Sequence, residues 1–431
     1  SGAQAAPRPP KARGANGGTC HPSRVPALQT PAVKWSLRGF STMQDSSADG
    51  LSRRPAGQRM MRRARQWMMA VARGTVAVET PRLPKISWSA SVCSLRLDFN
   101  RPIAEIVWPA CLQELSFGHI FNQPIAAIAW PASVQTISFG PRFNQPIVGV
   151  VWPASLKQLF FSGSFNQPIN EVLWPTSLRQ LWLQGRFDQP IAGVVWPTSL
   201  QQLFFGPFFN HPIAEVAWPA SLQELGLGAL FDQPITRVSW PASLQKLSFG
   251  HPYGHNRACF NRSIVGVAWP GGLRHLSFGQ CFNQPVAEVA WPASLRHISF
   301  ADGFNQPIAR VEWPICLEEL RFAWDFNQPI AGVVWPASLR QISFHGKFNQ
   351  PIAGVVWPAC LQHLSFGGAF DQPISDVVWP TSLKRLSFSP AFNQPISGVL
   401  WPASLQQLSF YNFFNQPIVG VKWPNSLQRL V

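Results

Sequence analysis

Apolar and polar positions follow one rhythm along four fifths of the chain. The stretch FNHPIAEVAWPASLQEL, residues 209–225, recurs in near copies of a unit that can be written FNQPIAxVxWPxSLxxLxFGxx. In each unit Ile-x-x-Val-x-Trp, as in Ile103, Ile106 and Trp108, precedes Leu-x-x-Leu-x-Phe, as in Leu112, Leu115 and Phe117. Alternation with period two sets Val and Trp, then Leu and Phe, on one face of an extended segment. The pattern therefore predicts two short strands per unit. Helices of useful length are opposed by two prolines per unit, one after each repeat Trp and one in nearly every FNQP.

The unit phenylalanines run from Phe99 to Phe414, 22 residues apart except for one gap of 29 between Phe231 and Phe260. Such a period predicts a solenoid: an all-β-rich stack of fifteen coils over residues 99–431, in place of the several globular domains that 431 residues would otherwise suggest. Register would then pile Trp108, Trp130 and their successors to Trp423 into an internal stack, because one coil alone cannot bury its own apolar face. The residue after each Phe is Asn in twelve units and Asp in three, at Asp188, Asp232 and Asp371. Only an acceptor oxygen is common to the two side chains, so this position is expected to cap backbone N–H groups at the turn entering Gln-Pro. A catalytic role for the three Asp residues is disfavoured, since they lie at least two coils apart and a packed ladder offers no pocket.

The flanks differ from the array. Residues 1–58 are rich in Pro, Gly, Ser, Ala and Arg without a sustained period, the composition of a disordered basic arm. Residues 59–73, RMMRRARQWMMAVAR, place Met60, Met61, Ala64, Trp67, Met68 and Val71 on one face of a helical wheel and arginines around the rest. Three roles stay open for this basic amphipathic helix: docking on the array, an organelle presequence, or a peripheral contact with a membrane, nucleic acid or an assembly. Residues 83–98, with Ile86, Trp88, Val92, Leu95 and Leu97, read as a degenerate unit that caps the first coil. At the other end Val431 falls one place short of the sheet Phe. An open end there is expected, with the chain a fragment or covered by another subunit, and with self-association as its sign.

Charge changes this picture little. Lys and Arg outnumber Asp and Glu by 35 to 19, but residues 1–90 hold 15 of the basic residues and three of the acidic ones. The basic balance thus describes the arm more than a partner of the array. No stretch has the continuous apolar length of a membrane-spanning helix. Seven cysteines without a dense framework suggest free thiols in a reducing compartment, cytoplasm or organelle, with no signal peptide or starting Met in view. Cys111, Cys316 and Cys360 stand where most units have Ser and are expected to be packing residues.

FNQPI followed by P-x-S-L-x-x-L-x-F-G at 22-residue spacing closely resembles the FNIP repeat, a variant of the leucine-rich repeat. The resemblance covers Phe99 to Val431. It implies a right-handed solenoid in which the L-x-x-L-x-F segments form a parallel sheet, and a role in protein–protein interaction. Where an ordinary leucine-rich repeat carries Asn, three residues beyond the last apolar strand residue, this chain has Ile120, Arg142 and Ser164. Residues 1–90 hold neither a Gly-rich phosphate loop nor an F-box-like helical pattern, so no ubiquitin-adaptor role is carried over.

Three places along the array carry candidate chemistry. On the Leu segment the residue before the Phe is mostly Ser or Gly, but Phe160, Trp182 and Phe204 replace it on three consecutive coils and predict an apolar patch for a partner. Further on, Arg274 and His275 above Arg296 and His297 form a basic patch suited to an acidic peptide or phosphate. No aromatic residue is interleaved there, which argues against nucleic acid. The insertion near 250–259 brings His251, His255 and Cys259 together with Cys281, a candidate zinc set whose spacing matches no common closed site and reads more simply as a surface loop. No cofactor is implied, and no GxSxG, HExxH or nucleotide loop occurs. The sequence thus points to a non-enzymatic interaction scaffold or recognition module, with a structural subunit bridging a large, organellar assembly as the alternative.

Overall fold

The computed structural model describes residues 88–89, 91–250, 259–411 and 413–431, together with the backbone of the strand Thr75–Val78. The arm, the helix at 59–73, most of the insertion and Ile86 lie outside the described residues. Within them seventeen strands form one parallel sheet, β1 (Thr75–Val78) to β17 (Arg429–Leu430), each strand paired with the next along the chain. Successive strands in the array pair residue i with i+22, or with i+29 across the insertion, so Leu159 of β5 (Gln158–Phe161) meets Leu181 of β6 (Gln180–Leu183). The sheet starts one strand earlier than the sequence suggests: TVAV at 75–78 pairs with β2 (Ser94–Leu97), where Leu95 and Leu97 are buried.

Each coil contains one strand, not the two that alternation predicts. Side chains in Ile-x-x-Val-x-Trp do alternate: Val333 and Trp335 are buried while Val334 between them is exposed. The backbone there turns on itself instead of pairing with its neighbour, as when Val333 N donates to the Ile330 carbonyl. The proline after each Trp lacks the N–H that a ladder would need, and its carbonyl instead closes a turn with the N–H of the following Leu, as in Pro336 and Leu339. Period two is thus satisfied by packing alone on that side.

Side chains replace the missing second ladder. The Asn or Asp after each Phe accepts, through Oδ1, the backbone N–H of the equivalent residue one coil later, from Asn100 and Asn122 to Asn393 and Asn415, at 2.8–3.1 Å in fourteen successive rungs. The expected capping is therefore made between coils, not within one turn. The rung between Asp232 and Asn261 continues across the insertion at 2.9 Å. On the opposite side of the coil the Ser of each P-x-S-L donates to the Leu or Val carbonyl of the previous coil, as in Ser338 to Leu317 at 2.8 Å and Ser382 to Leu361 at 2.7 Å. Cys111 and Cys360, which replace this Ser, are exposed instead of packed, and Cys316 is half-buried.

Inside, like stacks on like. Phe326 lies over Phe348 with ring centroids 6.0 Å apart and planes 7° apart, and Trp313 over Trp335 at 6.5 Å and 14°. The strand phenylalanines sit closer, as Phe117 to Phe139 at 4.9 Å. Burying each such ring contributes about 1.5–3 kcal/mol. The indole N–H groups of repeat tryptophans from Trp130 to Trp401 are buried without an acceptor, whereas Trp88 donates its own to the Val107 carbonyl.

Two substitutions test these interactions in urea unfolding. Asn305→Ala, which leaves Asn327 N–H and Gln328 without their acceptor, is expected to cost about 1–3 kcal/mol, and Asn305→Asp less than about 0.5 kcal/mol. Trp335→Phe, which removes an unpartnered N–H along with ring area, should lower the midpoint far less than Trp335→Ala, expected to cost about 3–5 kcal/mol.

Candidate interaction surface

Only positions that the stacks leave outside vary freely. In the four-residue strands from β2 onward the second and fourth residues are buried, so the first and third look outward and form two columns along the sheet face. The third-residue column is mostly Ser, as at Ser116, Ser138 and Ser248. On β5, β6 and β7 (Gln202–Phe205) it carries Phe160, Trp182 and Phe204, which are direct register partners.

The three rings pack on one another. Phe160 and Trp182 have centroids 5.6 Å apart and tilted by 52°, and Trp182 and Phe204 are 4.6 Å apart and tilted by 46°. Phe204 is only 3% exposed, so it does not offer the surface expected of it. Its cover comes partly from β8 (Glu224–Leu227), where Gly226 is the register partner of Phe204. A Cβ at Gly226 would stand 2.6 Å from the Phe204 ring, so the missing side chain is what lets the ring lie across the next coil. Phe160 and Trp182 remain half-exposed as a two-ring ridge, with Phe204 as its buried foot.

The basic patch is brought together but largely neutralised. His275 and His297 stack with centroids 4.3 Å apart. Arg296 pairs with Glu318, His297 Nδ1 lies 3.0 Å from Glu319, and Arg321 pairs with the same Glu319. Arg274 remains exposed beside them. Burial, then the charges of His297, Lys246 and Arg274, lower the pKa of His275 from 6.5 to about 4, against the opposing pull of Glu319. His345 and His363 are lowered as well, chiefly by burial, then by Arg321 for the first and by Arg385 and Lys384 for the second.

Cys259 and Cys281 occupy equivalent places on adjoining coils, whose Phe260 and Phe282 stack at 6.0 Å. His251 and His255 lie outside the described residues, and among the described residues no cluster of three His, Cys, Asp or Glu side chains is placed to hold a metal ion. The three Asp residues of the FN position serve as rung acceptors, as Asp371 does for Asn393 at 2.8 Å. A depression of about 500 Å³ on the Trp side is lined by Arg310, Glu312, Trp313, Ile315, Val334 and Trp335 among others, with no nucleophile set beside an acid or base.

One surface escaped the sequence reading. The residue between Val and Trp points outward, and in four consecutive coils it is Val334, Val356, Val378 and Leu400, each 78–81% exposed. Its signal was present in the very alternation that buries its two neighbours.

Comparison with known proteins agrees with this geometry. The family model described as FNIP Repeat matches residues 121–164, 143–181, 209–251, 304–347 and 348–391. Among solved structures, CroV588, described as a novel circular leucine-rich repeat protein, is 40% identical with a TM-score of 0.71, covering 82% of this chain and 51% of its own. This chain thus spans about half the length of that protein. An internalin, InlF, of Listeria monocytogenes is 15% identical over 70% of this chain and 82% of its own, with a TM-score of 0.44. A chain of the Toll–Spatzle complex of Drosophila is 12% identical over 78% and 42%, with a TM-score of 0.48. No curated protein sequence matches significantly.

The depressed His275 pKa sets a direction for pH dependence. Between about 6.5 and about 4 the unfolded chain takes up a proton that the folded chain refuses, so this contribution is complete above 6.5 and is lost as pH falls toward 4. Urea midpoints of wild type and His275→Gln, measured across that window, should differ in slope, with the variant flatter.

Proposed function

The array belongs to the FNIP-repeat family, a variant of the leucine-rich repeat, and from that premise we propose that the protein is a non-enzymatic scaffold that holds a protein partner against the outward face of its parallel sheet. The observation that carries this reading is the Phe160–Trp182 ridge: two large half-exposed rings in a column that is otherwise mostly Ser, seated on a rigid, hydrogen-bonded stack. A large aromatic anchor on a preorganised surface is what a binding hot spot requires. Arg274, His275, Arg296 and His297 are assigned a secondary part at the rim, because Glu318 and Glu319 already pair with Arg296 and His297.

The exposed aliphatic row from Val334 to Leu400 favours a second reading, a structural subunit that bridges a larger assembly by its other face. The basic Met/Trp segment at 59–73 is proposed as a further contact with such an assembly or with a membrane surface, on its sequence pattern alone, and a reducing compartment as the setting. Replacing Phe160 and Trp182 together by Ser, with Phe204 kept as the buried foot, distinguishes the two surfaces. Affinity for a partner identified by photo-crosslinking from the sheet face is expected to fall roughly 30-fold, the scale of a 2 kcal/mol hot spot, while Val356→Ser leaves it unchanged. Loss with Val356→Ser alone would move the contact to the aliphatic row.

A further inference from the structure

The ridge has a charged frame. Lys157 and Arg179 lie three residues ahead of Phe160 and Trp182 on the same strands' approach, and Arg142 and Arg186 lie in the turns on the far side. All four are exposed. Among the described residues none pairs with a carboxylate: the side chain of Lys157 bonds Gln135 Oε1, at 2.9 Å, and Arg142, Arg179 and Arg186 have no side-chain partner. Two acids close to them in the register are occupied. Asp188 accepts from Asn210 and faces His211 at 3.2 Å, and Glu224 accepts from Gln202 and faces Lys246.

We propose that the Phe160–Trp182 ridge and its frame of Arg142, Lys157, Arg179 and Arg186 receive an extended peptide segment with a large apolar side chain flanked by carboxylates. This inference rests on the ridge being the partner contact. Four cations around an apolar centre, with no acid of their own, call for charge complementarity from outside. The patch at Arg296 and His297 shows the contrast, since there the chain supplies Glu318 and Glu319 itself. Arg340 and Lys384 also lack a carboxylate, but the outward residues of their strands are Ser343 and Ser387, not rings. At about 3.3 Å per residue Lys157 and Arg179, three positions before their rings, lie roughly 10 Å away and Arg186, four positions after Trp182, roughly 13 Å, so the carboxylates belong about three to four residues to either side of the anchor.

Aromatic rings among cations also suit single-stranded nucleic acid, where bases stack on open ring faces. Here the faces are taken. Trp182 lies between Phe160 and Phe204 at 5.6 and 4.6 Å, and Phe204 is buried, so no base can intercalate between the three rings. The geometry therefore favours the acidic peptide.

Fluorescence anisotropy tests this with a labelled probe peptide carrying one Phe anchor and Glu three residues to either side, against the same peptide with Gln for Glu, and against oligo-dT. The Glu probe is expected to bind at least about tenfold more tightly than the Gln probe, with affinity falling as salt rises. Lys157→Gln with Arg179→Gln should remove most of that difference, and Lys384→Gln none of it, with circular dichroism melting unchanged in both. Equal affinity of the two peptides, no binding of the Glu probe at millimolar concentration, or tighter binding of oligo-dT through the same residues would each overturn the proposal. If only the charge substitutions are silent, the frame is wrong and the ridge stands. If Phe160→Ser with Trp182→Ser is silent as well, the contact surface itself is wrong.

Discussion

Every coil depends on being the same length as the next. A single coil has too little interior to cover its own Phe, Ile, Val and Leu side chains, so burial arises only when identical residues of neighbours fall over one another. The parallel sheet enforces that register on one side, and the Asn rungs and Ser stitches enforce it elsewhere. Loss of one residue from a unit would turn its apolar ladder toward solvent. The insertion after Phe249 escapes that penalty because the rung is kept on either side of it, with Asp232 still accepting from Asn261.

Such a constraint decides where function can reside. Repetition consumes the inward positions, the rung acceptors and the Ser hydroxyls, leaving the outward strand residues, their approach and the turns to differ from coil to coil. The aromatic ridge, its cations and the acid-paired histidines all occupy these released positions. A chemical centre needs several groups converging on one point, whereas a stack spreads its variable residues along a face. A long contact surface follows more readily than a pocket.

What could be read without the structure follows from the same division. The period, the buried Phe, Leu and Ile ladders and the interchange of Asn with Asp were legible, because each is a property of one unit repeated. The direction of the Asn bond was not, because its donor belongs to the next unit and no single unit contains its neighbour. The second strand failed because alternation describes side chains, while a strand is defined by backbone pairing that Pro336 and its equivalents cannot give. Phe204 seemed as open as Phe160 because its burial depends in part on Gly226, 22 residues further on. That Gly in place of Ser was a visible signal, but its meaning needed the register. The strand at 75–78 has no counterpart in the repeat and so carried no periodic mark.

The Asn rungs also make the stack a polar object. Each coil offers a carbonyl-type oxygen toward its successor and an N–H toward its predecessor, so its two faces are unlike, as the two faces of a growing crystal layer can be. A coil docked upside down would set acceptor against acceptor. Growth of the native stack is therefore templated in one sense only, each folded coil presenting the acceptors on which the next is laid. The order in which a ribosome delivers the units is the order in which those templates become available.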